Sequence, residues 1–98
     1  MVLTYKQKFN KRHGFSKDAG YYIAEISRLS KISTSASNKI IKKGEAAYFN
    51  NPKSVRPQVK SPRQWGVARL YSAVMGGGAA KVDKNELAQG RKAFKKSI

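Results

Sequence analysis

Between Ser61 and Gly78 the chain runs SPRQWGVARLYSAVMGGG, a segment with both ends of a helix written into it. The Ser61 hydroxyl can accept from an otherwise orphaned backbone N–H, and Pro62 has a φ already suited to the first helical turn. Gly76, Gly77 and Gly78 then remove the restraint that would carry the helix further. Between those ends Trp65, Ala68, Tyr71, Val74 and Met75 recur at helical spacing. So much apolar surface on one helix needs other elements to cover it, and the rest of the chain supplies short helical patterns without a convincing strand. The predicted class is all-α. Trp65 is expected to be buried against Ile26, Ile40 or Ile41.

The covering helices follow from the same signals. Tyr5 and Phe9 stand four apart in a short first helix that Gly14 would end in a left-handed turn. Phe15 to Gly20 connects it to a second helix with Ile23, Ile26 and Leu29 on one face. Ser33 can cap a third helix that turns Ile40 and Ile41 toward the core and stops at Gly44. Asp83 and Glu86 have capping-box spacing ahead of Leu87, Phe94 and a lysine-rich end suited to the negative pole of a helix. From Asn50 to Ser61, prolines at 52 and 57 break a polar stretch into an extended loop. At 98 residues one domain is expected: a helix-turn-helix-like segment at about 22–44, a basic loop at about 50–61, a main helix at about 62–75 and a C-terminal helix at about 84–97.

Residues Ala24 to Phe49 fit the helix-turn-helix pattern in spacing. Ala24 is small enough for close helix approach, Ile32 follows the turn as an apolar plug, and Ser33 caps the second helix. Two positions depart from the pattern: Lys31 stands where such turns often use glycine, and Ser37 where a large apolar residue is usual. In this arrangement Thr34, Ser35, Asn38 and Lys39 form the exposed start of a recognition helix, the part that approaches base edges in a major groove. Asn38 has the donor and acceptor needed to pair with adenine. Lys42 and Lys43 would meet phosphates instead, adding affinity without sequence information. A plain helical hairpin with solvated lysines has the same spacing.

Charge decides what partner such a surface could have. The chain carries 21 Lys and Arg against 5 Asp and Glu, a formal net charge of +16, so it repels itself unless it meets a polyanion. Nucleic acid is the expected partner, DNA rather than RNA because no aromatic-rich sheet signature is present. Lys53, Arg56, Lys60 and Arg63 are spaced among prolines that would hold them along a phosphate backbone or in a minor groove. Tyr48, Phe49, Trp65 and Tyr71 could stack on unpaired bases, although helical spacing favours the core for the last two. The absence of cysteine excludes disulfides and thiolate metal sites. His13 is the lone histidine, the acids are scattered, and no phosphate-binding glycine loop occurs, so neither an enzyme nor a cofactor is expected. No apolar run approaches a membrane span, and the N-terminus lacks the apolar region of a secretory signal.

The segment Ser54 to Leu87 contains Trp65, Ala68, Arg69, Tyr71, Val74, Met75, Gly76 and Gly77, followed by Ala80, Lys81, Val82 and Asp83. In this order it resembles a small domain family of unknown function encoded by large DNA viruses and some tailed phages, with the string W-x-x-A-R-x-Y-x-x-V-M-G-G and then A-K-V-D. The similarity extends upstream through Lys8, Phe9, His13, Gly14 and Phe15 to Lys43 and Gly44. The resemblance implies a viral origin and a place inside the virion or the infected cell. It carries no activity and no binding residue with it. Two functions remain open: a virus-encoded DNA-binding protein, or a minor capsid or core component whose charge bridges genome and shell.

Overall fold

The computed structural model describes residues 3–16, 22–50, 53 and 61–97. Among them it forms six helices and no strand: α1 (Tyr5–Arg12), α2 (Ile23–Ser30), α3 (Thr34–Asn50), α4 (Pro62–Val74), α5 (Gly78–Val82) and α6 (Lys84–Ser97). The protein is all-α. The helix ends follow the local chemistry closely. Thr4 and Gln7 form a capping box, in which the Gln7 N–H donates to the Thr4 hydroxyl (3.2 Å) and the Thr4 N–H donates to the Gln7 side chain (3.0 Å). Gly14 follows α1 at φ +78°, and Gly76 follows α4 at φ +77°. Ser61 accepts from the Gln64 N–H at 3.1 Å, with Pro62 in the first turn.

The core lies where α3 crosses α4. Ile40 and Ile41 from α3 meet Val67, Leu70, Tyr71 and Ala73 from α4; Phe9, Ile26, Ile32 and Leu87 close the cluster from the other elements. The crossing is unusually close because both helices present glycine. A β-carbon added to Gly44 would fall 2.5 Å from the Gly66 Cα. The expected stop at Gly44 is therefore overturned: α3 runs through it to Asn50. Gly44 keeps a helical φ and serves as a contact surface, a role its sequence neighbours do not announce.

Two further expectations are corrected, and one helix is added to those expected. Trp65 is only half-buried and stands outside the central cluster, because it shares its helix stripe with exposed Ala68 and partly exposed Arg69. Ala24 is exposed and makes no close helix approach. The triple glycine does end α4, but it also leads into α5, which the glycine run hid. Gly77 sits under the Tyr5 ring, where an added β-carbon would come 2.6 Å from the Tyr5 hydroxyl.

α6 lies antiparallel to α3. Glu86 at its start meets Lys43, and Gly90 one turn later meets Ala36 and Ile32 near the start of α3. The Gly90 carbonyl accepts the Ser33 N–H at 3.0 Å, tying the two helices by their backbones. No helix of the described residues is long and apolar enough to cross a membrane.

Candidate nucleic-acid interface

The junction of α2 and α3 is built around one left-handed residue. Lys31 adopts φ 58° and ψ 44°, the conformation for which glycine is usually kept, and accepts the strain of roughly 1 kcal/mol that a side chain incurs there. That turn drops Ile32 into the core, 1% exposed, and leaves the Ser33 hydroxyl to accept the Ala36 N–H at 3.1 Å. Ser37, where a large apolar group was the pattern, is fully buried and pairs with Ser27 at 2.6 Å. The Ser27 hydroxyl gives its single proton to the Ile23 carbonyl (2.7 Å), so the Ser37 hydroxyl must be the donor to Ser27. A satisfied polar pair thus replaces apolar packing between the two helices.

Among the described residues each of the four acids is held in an ion pair. Glu25 pairs with Arg28 one turn away, and Glu45 with Arg63 at 3.7 Å across α3 and α4. Asp83, with no exposed surface, receives two parallel hydrogen bonds from Arg69, each 2.8 Å. Lys43 lies 3.7 Å from the same carboxylate and hydrogen-bonds Glu86. The anticipated Asp83–Glu86 capping box is therefore overturned: tertiary cations claim both carboxylates. The hydrogen bond from Lys43 is the main reason the Glu86 carboxyl is held below its usual range, and the same bond pushes the Lys43 ammonium up. The Asp83 hydrogen bonds raise the Arg69 guanidinium further.

This arrangement sorts the residues singled out from the sequence. Thr34, Ser35, Asn38, Lys39 and Lys42 are all exposed on α3, on the side away from α4. Among the described residues no acid lies within ion-pair distance of Lys39 or Lys42. Lys43 differs, since its charge is opposed by Glu86 and Asp83, which hold it as a link between α3 and α6. Arg63 is exposed but balanced by Glu45. Lys53 is exposed, and Arg56 and Lys60 lie outside the described residues.

One part of the surface was missed. Ser35 and Lys39 from α3 and Glu86, Gln89 and Ala93 from α6 line a groove of about 270 Å³, with the Glu86 carboxylate already paired with Lys43. Lys92 and Lys96, each three residues beyond a groove-lining position, are exposed on that flank of α6. Their density in RKAFKK was visible, but only the antiparallel pairing brings them beside the start of α3. His13, the lone histidine, packs its ring on Phe9 at 4.5 Å between centroids.

Fold and surface define a small, strongly basic all-helical protein in which a short turn joins α2 to α3. No family model, curated protein or solved structure matches the chain.

Proposed function

We propose that this chain is a virus-encoded, non-enzymatic protein that binds duplex DNA through the exposed face of α3. Asn38 takes the base-reading role, Thr34 and Ser35 the neighbouring polar contacts, and Lys39 and Lys42 the phosphates. Lys92 and Lys96 on α6 extend the cationic surface past the start of α3. One observation carries this reading: among the described residues every acid is held in an ion pair with another cation, while no acid comes within ion-pair distance of Lys39 or Lys42. Selection from a randomised duplex pool tests it. The parent should enrich a site, and Asn38→Ala should lose roughly 1 to 3 kcal/mol of preference for it while keeping nonspecific affinity. A parent that enriches no site sinks the base-reading role.

A second reading, a minor capsid or core component, draws on Tyr22 and Val82, which are 78% and 67% exposed. A shell protein would cover such apolar groups. Mass spectrometry of purified particles would find the chain in stoichiometric amounts if this second reading holds.

A further inference from the structure

We propose that Phe49 is a base-stacking site, so that the preferred ligand of α3 is DNA in which a duplex runs into an unpaired strand. The inference rests on the duplex-binding reading of α3 and adds a second contact at the other end of the same helix. Phe49 is 70% exposed. A single exposed apolar side chain is ordinary, and three further features set this one apart.

The first is register. Asn38, Lys42 and Phe49 fall at i, i+4 and i+11, positions that return to the same helix face. At 1.5 Å per residue, Phe49 lies about 10 Å beyond Lys42 and about 16 Å beyond Asn38 along the axis. Ala46, exposed between them, offers only a methyl group and leaves the path clear.

The second is ring support. Tyr48, half-buried, meets the Phe49 ring edge to face, with centroids 5.6 Å apart and planes at 83°. An aromatic pair of this geometry holds the exposed ring in place before any ligand arrives.

The third is charge. Lys42 precedes Phe49 on the same face and exposed Lys53 follows it in the chain. The one nearby acid, Glu45, is opposed by Arg63. Cation and aromatic on one face suit a strand that offers phosphate and then base. In a duplex the faces of the bases are covered by their neighbours, whereas an unpaired base exposes a π-face to any aromatic group. With the start of α3 in the groove, Phe49 at its far end meets the strand where pairing has ceased.

Fluorescence anisotropy with the full chain tests the proposal on three probes: a blunt duplex, the same duplex with a thymine overhang, and the same duplex with an abasic overhang. The parent should favour the thymine overhang by about tenfold over the other two, a difference of roughly 1.4 kcal/mol within the range for one stacked base. Phe49→Leu keeps the apolar bulk but not the π-face and should erase the preference, while Phe49→Trp should retain it. Blunt-duplex binding should be unchanged in both variants. Equal affinity of the parent for all three probes overturns the proposal and leaves the duplex reading standing. So does a Phe49→Leu variant that weakens blunt and overhanging duplexes alike, or one whose only change is lost self-association in sedimentation. Failure of the parent to bind any probe overturns both readings.

Discussion

Gly44 on α3 and Gly66 on α4 touch backbone to backbone: a β-carbon on Gly44 would stand 2.5 Å from the Gly66 Cα and 3.2 Å from its nitrogen. Neither obstacle is the end of a flexible side chain, so the helices would have to separate to admit a methyl group. Gly44→Ala gains about 1 kcal/mol of helix propensity, yet overpacking at such a contact costs typically 1 to 3 kcal/mol and more where backbone must move. The variant should be less stable than the parent in urea unfolding. A stability gain would show that the two helices do not meet here.

Arg69 and Asp83 make the second prediction. Arg69→Met leaves a carboxylate with no exposed surface facing only Lys43 at 3.7 Å, and should cost roughly 3 to 5 kcal/mol. Changing both residues, Arg69→Met with Asp83→Leu, should recover most of that loss, because the uncompensated buried charge is gone. Additive losses in the double variant would contradict a coupled pair.

Leu70 and Trp65 separate the observed core from the one expected. Leu70 has no exposed surface, so Leu70→Ala should cost roughly 2 to 5 kcal/mol. Trp65→Ala should cost less than Leu70→Ala despite removing more atoms, since the indole is only half-buried. Thermal melts of the two variants would reverse in order if Trp65 were a core residue.

What could be read in advance follows from the range of the forces involved. Caps and stops are local: Ser33 and Ser61 announce helix starts and Gly14 and Gly76 helix ends through their own backbone chemistry, and all four behave accordingly. Gly44 looks the same in sequence, but only the approach of Gly66 from another helix explains it. Asp83 and Glu86 have the spacing of a capping box, yet Arg69 and Lys43 arrive from α4 and α3 as stronger partners. Lys43 and Lys42 are adjacent in the chain and indistinguishable by composition. Which one keeps its charge for a ligand depends on where α6 lies, and that long-range packing also places Lys92 and Lys96 beside the start of α3.

Acidity gives the fourth prediction, through Lys43 and Glu86. The folded Glu86 pKa lies below its ordinary value near 4.5, so its contribution is present above that pH and lost as pH falls through the folded value. The folded Lys43 pKa lies above 10.5, so its contribution is complete below that pH and lost as pH climbs through the folded value. The stability difference between the parent and Glu86→Gln should be small, constant from about pH 6 to 9, and smaller at both extremes. Urea midpoints measured across pH would contradict the ion pair if the difference persisted undiminished in acid.

The central claim is that α3 presents Lys39 and Lys42, with no acid among the described residues within ion-pair distance, as phosphate-binding cations, and its most direct test is the dependence of DNA affinity on salt. Neutralising about six phosphates predicts that log K falls against log salt with a slope near −5. Lys39→Ala with Lys42→Ala should reduce that slope by about two, one for each phosphate no longer neutralised, for every duplex sequence alike. Lys43→Ala should leave the slope unchanged, because its ammonium is already held by Glu86 and Asp83. A slope near zero in the parent, or an equal reduction from Lys43→Ala and from the Lys39 and Lys42 pair, would contradict the account.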